Sequence, residues 1–234
     1  MQDFSLAFAA AASLLWNGDA ELWHIIRLSL AVSLTATLIA TLIGAPLGAM
    51  LAIGRFAGRR VVVIVLNGFM GLPPVVVGLV VYLLLSRSGP LGALGILFTA
   101  KAMVIAQTLL ITPIIASLMR QVVEDAWSEY REQLVSLGAS PWKSGFTLLW
   151  DTRYSLITAL LAGFGRAAAE VGAVMIVGGN IANYTRVMTT AIALETTKGD
   201  LPLALALGFV LIAIIIGINA IAFWIRNWAQ RRFR

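Results

Sequence analysis

The chain has 234 residues, 60% of them hydrophobic and only 12% charged, with a formal net charge of +6 and a mean hydropathy of +0.92. A water-soluble domain holds about 45–50% apolar and about 25% charged residues, so this composition excludes a water-facing fold and points to a bilayer. Cysteine is absent and His24 is the one histidine, which removes disulfides, thiolate metal sites and thiol nucleophiles, and most zinc and Ser-His-Asp chemistry.

The first apolar stretch, residues 4–16, has 13 residues, too few to cross about 30 Å of hydrocarbon. Residues 1–24 therefore read as an N-terminal interfacial segment. It does not resemble a secretory signal, which opens with positive charge, because Asp3 is the first charge and Asp19 the next. His24, close to Trp16 and Trp23, reads as an interface residue, since aromatic rings anchor that depth.

Five stretches are long enough to span as helices: residues 28–53, 61–85, 96–119, 154–177 and 201–225. Gly44, Pro46 and Gly48 interrupt the first, Gly71-Leu72-Pro73-Pro74 and Gly78 the second, and Thr112-Pro113 the third. Proline frees a carbonyl that lipid cannot satisfy, so such breaks belong where they face protein or water, and Pro73 and Pro74 become candidate path residues. The other reading, strongest for Pro46, Pro113 and Gly44-x-x-x-Gly48, is ordinary close packing of membrane helices. Arg55, Arg59, Arg60, Arg120, Arg131, Lys143, Arg153, Arg226, Arg231, Arg232 and Arg234 flank one set of span ends, against Arg87, Lys101, Arg186 and Lys198 on the other. Lys and Arg are retained on the cytoplasmic side, so the N-terminus is expected outside and the C-terminus inside.

Residues 120–153 form the longest loop and are expected in the cytoplasm. Trp127, Tyr130, Leu134 and Leu137 recur at helical spacing on one face. Gly138 suits a left-handed helix end, and Ser140-Pro141 an N-cap followed by a first-turn proline. The segment reads as helix, turn, helix. Its five acids against four bases oppose nucleic acid binding. In the fourth span, Arg166 and Glu170 stand at i, i+4 on one face, close enough to pair, and each costs about 2.5–3.5 kcal/mol at the bilayer centre. Such a pair marks either a transport path or a structural lock. The run Gly163 to Ala168 formally fits G-x-G-x-x-A, but it follows no strand and sits in mid-span.

Two motifs resemble one family. The membrane subunits of binding-protein-dependent ABC importers carry Glu-Ala-Ala, three residues, Gly, nine residues, then Ile-x-Leu-Pro. The chain has Glu132-Gln133-Leu134, then Gly138, then Leu148-Leu149-Trp150-Asp151 at those spacings. Permeases of the molybdate, tungstate and sulfate type carry Phe-x-Arg-x-x-Gly-Glu-x-Gly-Ala and, six residues later, Gly-Asn. Phe164, Arg166, Glu170, Gly172, Ala173, Gly179 and Asn180 stand at the same offsets, with Ala169 in place of glycine. The run from Gly71 to Gly92, with Trp150-Asp151 for Leu-Pro, is most similar to the tungstate permeases.

The resemblance implies an all-α integral membrane protein forming a single permease domain of about five transmembrane helices, with a short N-terminal interfacial helix and a cytoplasmic coupling hairpin. Glu132, Gly138, Ala139, Ser140, Pro141 and Trp142 are then the ATPase contact, and Pro73, Pro74, Arg166, Glu170, Gly172 and Asn180 the translocation path. It implies no cofactor or metal on this chain and no catalytic residue, ATP and magnesium being held by a partner subunit. This accords with the absence of a G-x-x-x-x-G-K-[ST] loop. The implied partners are an ATP-binding subunit dimer, an extracytoplasmic oxyanion-binding protein, a second copy of the chain and membrane lipid, in a bacterial or archaeal cytoplasmic membrane. Tungstate is the expected substrate, with molybdate or sulfate as alternatives. A secondary transporter or channel would leave the hairpin without a purpose, and an intramembrane hydrolase lacks a nucleophile and base.

Overall fold

A computed structural model describes residues 13, 16 and 20–232. Among them the regular structure is helical: α1 (Ala20–Ile53), α2 (Arg59–Phe69), α3 (Pro74–Leu85), a 3-10 turn (Gly92–Leu94), α4 (Ala100–Ser136), α5 (Pro141–Asp151), α6 (Arg153–Ala168), α7 (Gly172–Gly178), α8 (Met188–Lys198) and α9 (Leu201–Arg232). α1, α4 and α9 are each long and apolar enough to cross a membrane. The pair α2 and α3, bent by 100°, and the pair α6 and α7, bent by 60°, are long and apolar enough only when each pair is taken together, which gives three such helices among the described residues, or five if each bent pair is one broken span. The stretch 4–16 lies outside the described residues except for Ser13 and Trp16. Residues 20–24, expected in the interfacial segment, instead form the first turn of α1, where Glu21 favours a helix start.

The core is built on α1 lying against α4. Small residues on α1 (Ala36, Ala40, Ala45, Ala49) meet Ile111, Ile115 and Met119 on α4, all buried. A Cβ on Gly48 would stand 2.4 Å from the Ala116 carbonyl oxygen and one on Gly44 3.0 Å from that of Thr112. Gly44-x-x-x-Gly48 is therefore a contact that lets two backbones approach, as small residues do between membrane helices. The expected interruptions at Pro46 and Pro113 are absent, both prolines lying inside unbroken helices. Packing between α1 and α4 outweighs the local cost, Pro113 being buried and Pro46 half-buried.

Three further expectations are corrected. α4 has 37 residues, about 55 Å at 1.5 Å per residue, so the third span and the first helix of the hairpin are one rod. The fourth span is not continuous: α6 ends at Ala168 and α7 begins at Gly172, which leaves Glu170 in the gap. Residues 188–198 lie between the fourth and fifth expected spans, where no helix was expected. They form α8, with Thr190 Oγ1 accepting from the Val187 amide at its start and Gly199 at φ +85° ending it. Met188 and Ala191 pack there with Leu22, Ile25, Ala206 and Leu207.

Candidate functional site

The hairpin forms from local rules. After Ser136 the chain turns through Gly138 at φ +71°, with the Gly138 amide donating to Val135 and the Ala139 amide to Leu134, both at 3.0 Å. A left-handed residue with a long reverse bond of this kind closes the last carbonyls of a helix. Ser140 then accepts the Lys143 amide at 3.4 Å and Pro141 opens α5. Trp127, Tyr130 and Leu134 pack on the core beside Leu148, but Leu137, expected on the same face, is 81% exposed, because it falls just beyond the final helical residue. Glu132, Gly138, Ser140, Pro141 and Trp142 are exposed and Ala139 is half-buried. Around them Val135, Phe146 and Trp150 also face outward, with Trp142 and Phe146 stacked edge to face at 5.2 Å. An apolar groove of about 360 Å³ runs between α1 and α5, lined by Pro46, Ile53, Trp142, Gly145 and Phe146 among others. Apolar patches rimmed by polar residues mark interaction surfaces.

At the α6–α7 break, Arg166 and Glu170 pair at 2.5 Å. Glu170 is 3% exposed and Arg166 32%. The carboxylate works twice, because its Oε1 also accepts the Ala173 amide at 3.1 Å in the first turn of α7. That bond supplies an acceptor to an orphan donor of a helix start and gives the physical reason for the break. Two side chains that the sequence reading missed serve the freed carbonyls: Gln107 Nε2 donates to Ala167 O at 3.0 Å and Thr189 Oγ1 to Glu170 O at 2.7 Å. A lone amide in an apolar span was the available signal for Gln107; Thr189 carried none.

The α2–α3 break is of another kind. Pro73 and Pro74 have no N–H to offer Phe69 and Met70 four residues back, so the helix stops, and Pro74 opens the next one. Among the described residues no hydrogen bond reaches the carbonyls of Met70, Gly71 or Leu72. Gly71 and Pro73 are exposed. The two breaks meet: a Cβ on Gly172 would stand 3.0 Å from Val75 Cγ2 and 3.7 Å from Glu170 Oε1, and one on Gly78 would stand 2.7 Å from the Ala173 Cα. The structure thus brings Pro73, Pro74, Arg166, Glu170 and Gly172 into one region. Asn180 is apart from them, at the far end of α7 with φ +49°, after Gly179, which lies against Phe98.

The sequence pattern of the family described as "Binding-protein-dependent transport system inner membrane component" matches residues 44–234. The chain is 42% identical over 223 residues to the tungstate uptake system permease protein TupB of Peptoclostridium acidaminophilum, covering 95% of this chain and 98% of that one. It is 39% identical to the protein of the same name from Campylobacter jejuni, over 92% and 90% of the two chains. A probable anion ABC transporter permease protein of Haloferax volcanii is 43% identical over 73% of this chain and 77% of its own length. The chain belongs to the inner membrane components of binding-protein-dependent transport systems, as an integral membrane ABC permease subunit.

Proposed function

We propose that the chain is the permease subunit of an ATP-driven tungstate importer, working as a homodimer on two ATP-binding subunits and fed by an extracytoplasmic binding protein. The observation that carries the reading is Arg166, a third exposed within a span beside a bare helix break. Positive charge facing outward from a span belongs on an aqueous path, and an anion is the cargo it suits. The relatives that align over nearly the full length are named for tungstate uptake. The homodimer is supported by the uncovered carbonyls of Met70, Gly71 and Leu72, because irregular backbone at membrane depth must be covered by protein or water.

In this reading the basic residues place the hairpin in the cytoplasm and the N-terminus outside. Glu132, Gly138, Ala139, Ser140, Pro141 and Trp142 dock in the ATP-binding subunit. α4 carries the hairpin's displacement into the membrane without an intervening hinge, and alternating access follows at the breaks. Proteoliposomes holding the permease with its ATP-binding subunit and binding protein should take up tungstate only with ATP. Uptake without ATP would instead indicate a secondary transporter or channel, and preference for sulfate would overturn the substrate. Because the chain lacks cysteine, a single cysteine at exposed Ser128 should resist an impermeant thiol reagent in intact cells, while one at Lys198 should react. The reverse result would invert the orientation.

A further inference from the structure

α2 carries the bare break, yet it is attached to the protein at few points. Leu66 is its one buried residue. Near its end, Asn67 Oδ1 accepts the Ser117 hydroxyl at 2.9 Å. At its start, Arg59 reaches three acceptors on two other helices: Nε donates to Leu51 O at 2.7 Å, and Nη2 to Ala52 O at 3.3 Å and Glu124 Oε1 at 3.0 Å. The second oxygen of Glu124 accepts Arg120 Nη1 at 2.5 Å. An isolated surface ion pair contributes little, but here one planar guanidinium, which presents several donors in a fixed fork, closes the last turn of α1 and the first turn of α2 onto α4. Arg59 thus ties the start of α2 both to the carbonyl end of α1 and, through Glu124, to α4, the rod that ends in the hairpin, while Ser117 of α4 takes the end of α2.

We infer that Glu124 is a positioning residue for transport, the joint that makes α2 follow α4 so that movement of the hairpin reaches the Pro73-Pro74 break. The inference rests on reading the hairpin as the ATPase contact. Without the joint, α4 still moves with the ATP-binding subunit and takes the end of α2 with it through Leu66 and Asn67, but the start of α2, held by Arg59 to the Leu51 and Ala52 carbonyls, stays with α1 and lags behind. Hydrolysis and translocation then separate, which a merely stabilising ion pair would not cause.

The test is Glu124→Gln, which keeps the shape and removes the charge, in the complete complex reconstituted with its binding protein. Coupling between sites commonly amounts to roughly 5- to 150-fold, so tungstate uptake should fall about tenfold while basal ATP hydrolysis and the yield of co-purified ATP-binding subunit stay within about twofold. Glu124→Asp, which keeps a carboxylate, should recover part of the uptake. Unchanged uptake in Glu124→Gln would overturn the inference. So would a parallel loss of yield, hydrolysis and uptake with no recovery in Glu124→Asp, because that is the signature of a structural role. If the unaltered permease itself failed to retain the ATP-binding subunit, the reading of the hairpin would fall, and this inference with it.

Discussion

Two spans are broken, and the protein treats the breaks in opposite ways. At the α6–α7 break the chain supplies its own repairs: Gln107 and Thr189 reach in from α4 and α8 to the carbonyls of Ala167 and Glu170, and the Glu170 carboxylate takes an amide of α7. At the α2–α3 break, among the described residues, no side chain from another helix bonds the backbone, and the carbonyls of Met70 to Leu72 accept no hydrogen bond. In hydrocarbon an unmet polar group costs several kcal/mol. The first break is therefore finished by side chains of the chain itself, whereas no described side chain finishes the second. The ion pair is divided in exposure as well, Glu170 being buried and Arg166 a third exposed.

The largest expected effect comes from undoing the repair at its centre. Glu170→Leu removes the partner of Arg166 and the acceptor of the Ala173 amide together. Breaking a buried pair from one side leaves a lone charge, and the expected loss is on the order of 3 kcal/mol, Arg166 being partly exposed. Glu170→Gln keeps an oxygen for Ala173 and should recover part of that loss. Thermal unfolding of the purified permease separates the cases; equal stability of the two variants would mean that the amide bond contributes nothing.

Much of this contrast was legible in the sequence, and the illegible part has a physical reason. The break at Pro73-Pro74, the left-handed Gly138 and the Ser140-Pro141 helix start follow from residues whose own backbone demands fix the outcome. Pro46 and Pro113 carry the same local demand, but packing of α1 on α4 outweighs it. The α6–α7 break was invisible because its acceptors are met by Gln107, 60 residues from Ala167, and Thr189, 19 residues from Glu170, partners that exist only once the chain has packed. Read as one helical face, Arg166 and Glu170 invite an exchange of the two residues as a test of pairing. The structure removes that option, since an arginine at position 170 has no acceptor for the Ala173 amide and would sit at the positive end of α7.

The open break should respond in function before stability. Replacing both Pro73 and Pro74 with alanine restores two N–H donors within reach of Phe69 and Met70 and favours a straight helix. The variant should unfold at the same temperature or higher, while tungstate uptake drops about tenfold, near 1.4 kcal/mol of lost coupling. Full uptake through a straightened α2–α3 would show that the bend is idle and that the open side lies elsewhere.

The smallest effect sharpens the comparison most, because it asks whether the repairs at the closed break matter only to folding. Thr189→Val keeps the buried shape and removes a single hydroxyl, the donor to Glu170 O. Hydrogen bonds between membrane helices average about 0.6 kcal/mol and reach about 1.7, so a loss within that range is expected in thermal unfolding. Thr189→Ser, which keeps the donor, should lie closer to the unaltered protein. Gln107→Leu should behave as Thr189→Val does, since Ala167 O retains the Glu170 amide at 3.1 Å as a second partner. Uptake per assembled complex should be unchanged in all three, because none of these side chains faces the open side. A transport defect without a stability defect would show that the α6–α7 break moves during the cycle, and the distinction between a finished break and a working one would then fail at Thr189.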